Sequence, residues 1–441
     1  MSSHVANKSN HKRWWLIGGS ILLIVVILGL ILLLVVRSQV ADSKAAMYDG
    51  KLIDADYWDS EPRILSAVFG FDGIIGSEAD DQQTTIDAGG AWDSTLECAK
   101  DGGPTDADRS SLVLESSFPK IALIDEDANT QYVDGTPVVF SWPVRTDSLR
   151  PSQFRFTLNT GEVVTATAIT MTPNFEYNER NTVVMFTELG NRELPTEASA
   201  RFPVRLDIIP ASDGTELMLA GPDGDVSATS LSFETDKTSY ASGPTLVGAK
   251  LNRIDDVPKG EGPVDKNGEA NMPNDERTLF GTEGDFRLRM LTTGGFSPDG
   301  LRGVLPINFT TFFRIHATGP DGSDVIIDKT NTPFVVAGGS LTVIGISDLG
   351  KAESQTDQIL FDDCYSEDRD NYLDIILAGE EGAARSITGL EIPSLDGGYS
   401  AFYTPGGPGQ SPTEGVAYTA PGPATLQPVT IALDDPMRIN R

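Results

Sequence analysis

Between Trp14 and Val36 the chain runs for 23 residues without a single charge. At ~1.5 Å rise per residue, a helix of that length matches a ~30 Å hydrocarbon core. Lipid admits only structures that satisfy their own backbone N–H and C=O groups, and a lone helix does so. Trp14 and Trp15 stand at one end, where an interfacial aromatic belt belongs. A secretory apolar region is ~7–15 residues, so this run reads as a retained anchor over 14–36 rather than a cleaved leader. Its partner is the lipid bilayer.

Orientation rests on the flanks. Lys8, Lys12 and Arg13 precede the run, while Arg37, Lys44 and Lys51 follow it. Lys12 and Arg13 abut the apolar core directly. The positive-inside tendency then places residues 1–13 in the cytoplasm and the large C-terminal part outside. No acidic residue precedes Asp42, so all 64 acids but only 29 of the 33 bases follow Arg37. That excess excludes nucleic acid as a partner, because phosphates need a basic face. It also opposes docking on anionic lipid. Solubility is the simplest use of the charge; a saline setting or a surface that collects divalent cations is the sharper one.

After the anchor, residues 37–120 read as a stalk and an acidic loop region with little periodicity. From Ile121 the pattern turns strand-like. Val138-Val139-Phe140 is followed by Phe154-Arg155-Phe156-Thr157-Leu158, which alternates cleanly, then by Val163 to Ile169, Thr182 to Phe186 and Val204 to Ile208. Short strands at this spacing, broken by turn residues, predict a β-sandwich over 121–254. Asp255 to Glu276 is polar and rich in Gly, Pro and Asn, and marks a linker over 255–280. Residues 281–441 read as a second β-rich domain with one or two short helices. Phe286-Arg287-Leu288-Arg289-Met290-Leu291 alternates with its bases on one face. Residues 397–428, rich in Pro and Gly, read as a surface wrap. The fold class is therefore mainly β behind one transmembrane helix.

The order Val138-Val139-Phe140-Ser141, Pro143-Val144, Leu149, Phe154-Arg155-Phe156, Gly161-Glu162-Val163-Val164 and Asn181 to Phe186 resembles the bacterial Ig-like domain of surface-layer and adhesion proteins, over residues 131–210. The insert at Thr187 to Phe202 departs from that pattern. The resemblance implies a spacer or binding scaffold and brings no catalytic residues with it.

Chemistry is limited by what is scarce. Beyond the anchor there is one histidine, His316. A His-rich metal site is thereby excluded, and no Cys-x-x-Cys pair exists. No Gly-x-Ser-x-Gly elbow, Walker loop or dinucleotide fingerprint is present. A Ser-His-Asp triad would have to use His316, which reads instead as a satisfied core or strand-end histidine. The two cysteines, Cys98 and Cys364, could pair in an oxidising space or stay as buried thiols. Asn308-Phe309-Thr310 is the one glycosylation sequon beyond the anchor.

Carboxylates are the abundant chemistry. Asp362, Asp363, Glu367, Asp368, Asp370 and Asp374 form the densest group, a candidate Ca²⁺ cluster, since that ion takes six to eight oxygens. The spacing fits no EF-hand, and Asp125-x-Asp127-x-Asn129 fails one at Thr130 and Thr136. A solvated acidic loop is the alternative for both. No cofactor is required by anything in the sequence.

These observations predict a single-pass, surface-exposed acidic protein with a structural, adhesion or ligand-binding role, its partner a surface polymer or protein. The alternative is a membrane-tethered hydrolase acting on glycans through paired carboxylates, with Tyr399, Phe402, Tyr403 and Tyr418 as sugar platforms.

Overall fold

The computed structural model describes residues 44–67, 75–77, 81–87, 92–93, 97–98, 104–105, 109–110, 113–114, 122–125, 128–130, 133–171, 174, 176–190, 197–236, 245–256, 280, 282–294, 308–347, 350–352, 365–367, 371–393 and 424–441. The predicted anchor over 14–36 lies outside the described residues. Among those described, no helix is long and apolar enough to cross a membrane. Residues 47–441 form one compact unit, separate from 1–46. That unit is mainly β, as the sequence predicts, with a few short helices.

Two sheets enclose the first core. One is five-stranded, in the order Ile64–Ser66, Asp134–Phe140, Thr182–Thr187, Ala168–Thr170, Leu123–Ile124. The other is four-stranded, in the order Val163–Thr165, Phe154–Leu158, Pro203–Ile208, Ser232–Glu234. All their ladders are antiparallel. Side chains alternate faces along a strand. Phe154, Phe156 and Leu158 therefore point inward, against Val138, Phe140, Val183 and Met185 of the facing sheet. Arg155, between them, is exposed.

The expected single strand over Val163 to Ile169 is in fact two. Val163–Thr165 belongs to the four-stranded sheet and Ala168–Thr170 to the five-stranded one. The switch is abrupt: Ala166 N–H donates to Phe154, and Thr167 N–H donates to Phe186 in the opposite sheet.

The second core is built the same way. Its larger sheet runs Phe334–Val336, Gly339–Ser347, Tyr372–Gly379, Phe286–Thr292, Leu246–Arg253, Thr430–Ile431. Its smaller sheet runs Asp324–Ile327, Arg314–Thr318, Ile387–Ile392, Thr425–Pro428. Leu288, Met290, Ile375 and Leu377 meet Ile315, Leu390 and Ile392 between them, with Phe309 and Phe313 filling the middle. The Gly338-Gly339 turn closes a hairpin as its composition suggests. Gly338 sits at φ +86°, and a Cβ there would lie 2.5 Å from the carbonyl carbon of Gly382.

Three boundaries move. Leu246–Arg253, assigned by sequence to the first domain, pairs along its length with Phe286–Thr292 and belongs to the second. The expected linker over 255–280 thus falls between two neighbouring strands of one sheet, and residues 257–279 lie outside the described residues. Thr425–Pro428, read as surface wrap, is an edge strand on Ile387–Ile392. Residues 52–67, placed by sequence in the stalk and acidic loop region over 37–120, are part of the body. Leu52, Ala55, Tyr57 and Ile64 lie in the first core. The Trp142 indole donates to the Asp59 carbonyl at 2.8 Å, and the Ser141 hydroxyl to the Glu61 carbonyl at 2.7 Å. Ala55–Asp56 pairs with Arg438–Ile439. Strands of two or three residues are too short to show a period, so pattern alone passes over them.

Candidate functional site: a buried charge layer

The larger sheets of the two lobes face each other across their outer surfaces. Val139 of the first packs with Leu291 and Tyr372 of the second. The Tyr372 hydroxyl donates to Asn181 at 3.0 Å, and the Asn174 amide to Asn371 at 2.9 Å. What fills this layer follows from strand alternation. On Phe286–Thr292, Phe286, Leu288 and Met290 enter the second core. Arg287 and Arg289 must then enter the layer. On Tyr372–Gly379, Leu373, Ile375 and Leu377 take the core side, which sends Tyr372 and Asp374 into the layer. On Leu246–Arg253, Ala249 and Leu251 face the core, which leaves Lys250 and Asn252 opposite.

Register then aligns the charges. Lys250 is directly across from Arg289, and Arg289 from Asp374. The Arg289 guanidinium grips Asp374 with Nε at 2.9 Å and Nη2 at 2.7 Å, a bidentate pair. Arg287 Nη1 reaches the same carboxylate at 3.3 Å. From the first lobe's side, Glu179 comes to 3.0 Å of Arg289. Asp56 arrives on its own short strand. It accepts from Lys250 Nζ, and from Arg289 Nη1 at 3.2 Å. Lys250 also donates to the carbonyls of Tyr57 (3.3 Å) and Met437 (3.1 Å). Its ammonium lies 5.2 Å from the Trp58 ring centre, and Arg289 lies at the same distance from Tyr372.

These side chains are essentially without solvent: 1% exposed for Lys250 and Asp56, 0% for Arg289 and Asp374. Burial alone would raise the Asp56 pKa. Lys250, Arg287, Arg438 and Arg289 outweigh it and hold the carboxyl well below its usual range. Burial pulls Lys250 down to about 8, partly opposed by Asp56. Asp56 and Lys250 thus stand as an ion pair at neutral pH. Every donor of Lys250 is engaged, so the arrangement clamps rather than reacts.

His316 sits elsewhere, on the second lobe's smaller sheet. Its Nδ1 is 3.0 Å from Asp324 and its Nε2 is 2.7 Å from Glu391. Burial would lower its pKa, but hydrogen bonds to Glu391 and Asp324 raise it. Both ring nitrogens are occupied by carboxylates, so neither is open to a nucleophile. The two acids approach opposite nitrogens and do not converge on one point.

Of the candidate Ca²⁺ ligands, Asp374 is in the layer with its oxygens held by Arg287 and Arg289. It belongs to no acidic loop, because the strand turns it toward the arginines. Asp362, Asp363, Asp368 and Asp370 lie outside the described residues, as does the side chain of Glu367. Among the described residues, no group of three or more His, Cys, Asp or Glu could hold a metal ion. The Cys98 side chain and Cys364 also lie outside them. Asn308 immediately precedes the helical turn Phe309–Phe312 and is half-buried. Asp56, Glu179, Lys250 and Arg438 escape sequence reasoning. Only the Arg287 and Arg289 alternation hints that one face of that strand is basic. No family profile, curated protein or solved structure matches this chain.

Proposed function

We propose that this chain is a membrane-anchored, surface-displayed scaffold, whose two lobes present an acidic exterior to a surface polymer or protein ligand. The carrying observation is the charge layer, which joins two sheet pairs within one compact unit. A ligand that bridges the lobes then meets a fixed geometry, and binding spends little on ordering the receptor. The resemblance of residues 131–210 to Ig-like modules fits a scaffold. So does a histidine with both ring nitrogens occupied.

Labelling of intact cells by a membrane-impermeant amine reagent tests the reading. Lysines of the body should be modified before lysis, and deletion of residues 1–37 should release the body into the soluble fraction. A body protected until lysis, or one that still pellets with membranes after the deletion, overturns it.

A further inference from the structure

The ribbon that Ala55–Asp56 forms with Arg438–Ile439 belongs to neither sandwich; it is a sheet of two strands. Main-chain bonds lengthen it. Leu52 N–H donates to the Arg441 carbonyl at 2.7 Å, Arg441 N–H to the Leu52 carbonyl at 2.9 Å, and Tyr57 N–H to the Met437 carbonyl at 3.1 Å. Alternation gives the ribbon two faces. Ala55 and Ile439 seal the first core. Asp56 and Arg438 turn into the charge layer, with Arg438 Nε 3.6 Å from Asp56. A two-stranded ribbon is at best marginal alone, so this one depends on its seat.

Residues 434–441 pass from one lobe to the other. At the second lobe, the Arg385 guanidinium grips Asp434 at 2.6 and 3.0 Å, and the Asn252 amide donates to the Pro436 carbonyl at 3.1 Å. At the first lobe, Arg441 donates to Asp225 at 2.7 Å, and Asn440 exchanges two 2.8 Å bonds with Asp54. The outermost grips are wet, with Asp434 80% and Asp225 34% exposed. Such pairs hold weakly and yield to salt. Asp54 and Met437, one on each strand, sit at φ +49° and +54°. That left-handed region is unfavourable for residues with side chains, and the strain is relieved when the strands part. What stays behind keeps its own support. Lys250 and Arg289 reach Asp56, and Arg289 reaches Asp374, without any residue of 434–441. Neither sandwich loses a strand. We propose that residues 434–441 are a releasable strap, which leaves its seat as a unit, opens the seam between the lobes while both sandwiches stay folded, and returns to the same seat.

Native-state hydrogen exchange on the full chain in non-ionic detergent tests the release. The amides of Leu52, Tyr57 and Arg441 should exchange as one set, at least about tenfold faster than the protected amides of Phe286–Thr292, because a local opening lies below the global one in free energy. Exchange of that set at the rate of global unfolding overturns the strap. The seat is tested on a chain ending at Leu433, with a labelled synthetic peptide of residues 434–441 as the probe. The shortened chain should fold and take up the peptide saturably. The same peptide carrying Ile439→Asp, which cannot enter the first core, should stay unbound. A shortened chain that fails to fold, one that leaves the peptide free, or equal uptake of the two peptides each overturns the proposal.

Discussion

The interiors of the two lobes and the layer between them are equally dry and chemically opposite. Leu288 and Arg289 are consecutive residues on one strand, both fully buried. One contributes by leaving water, a force with no direction. The other contributes only if a carboxylate stands within ~3 Å at the right angle. The difference separates stability from placement. An apolar core accepts small slips at modest cost. In the layer, a slip of one residue between Phe286–Thr292 and Tyr372–Gly379 would put Leu373 or Ile375 opposite Arg289 in place of Asp374. Side chains would change faces, and charge would be buried unpaired. The lobes supply the stability, and the layer fixes where one lobe sits on the other.

The harshest way to break that contrast is Asp56→Ala. It removes the carboxylate that Lys250, Arg287, Arg289 and Arg438 share, and should cost about 3–5 kcal/mol in denaturant unfolding. A loss under ~1 kcal/mol, the worth of a solvated surface pair, would mean the layer is wet and the contrast false. Leu288→Ala, one residue from Arg289 but facing the core, should cost ~2–5 kcal/mol. The two should differ in kind, since only Asp56→Ala should loosen lobe-to-lobe contacts in hydrogen exchange while sparing protection within each core.

Acid titration sharpens the same point. The Asp56 pKa is depressed in the folded state, so its contribution is present above the unfolded value near ~4 and is lost as pH falls toward the folded one. Stability of the wild type should decline below about pH 4, and Asp56→Asn should flatten part of that decline. Equal slopes for the two proteins would count against the pairing. The smallest effect belongs to His316. Its folded pKa is raised, so its stabilisation is complete below the unfolded pKa near ~6.5 and disappears as pH rises through the folded value. His316→Gln should cost roughly 0.2–1 kcal/mol at pH 5.5, discounted for its partial exposure. The cost should shrink toward pH 8.5. A pH-independent difference would show that the carboxylates hold no imidazolium.

Much of the architecture is legible in the chain. Phe154-Arg155-Phe156 alternates because one face is wet, and the turn at Gly338-Gly339 is written in residues that tolerate positive φ. The layer is harder to read, and the reason is physical. Arg287 and Arg289 alternate with apolar residues as they would on a solvated sheet. Nothing local says that a second sheet covers that face. Asp374 sits in the acidic run that begins at Asp362, and only the register of Tyr372–Gly379 removes it from that company. Asp56 falls in a stretch without period, and its partners lie 194 residues away at Lys250 and 233 away at Arg289. Burial of a charge is a property of the assembled fold, with no signature in neighbouring residues.

The pairing of Ala55–Asp56 with Arg438–Ile439 has a consequence in time. Asp54 and Asn440, which exchange two hydrogen bonds beside it, are 386 residues apart. At ~5–20 residues per second of synthesis, the early strand waits roughly 20–80 s for its partner to be made. The first lobe's remaining strands, from Ile64 to Glu234, are complete long before that. Closing so long a loop adds little entropy cost over a shorter one, so the delay is set by the ribosome rather than by the chain. Through that interval Asp56 has neither its strand partner nor Arg438. The strand that carries Arg438 therefore arrives long after the one it pairs with, and a late segment fastens an early one in place.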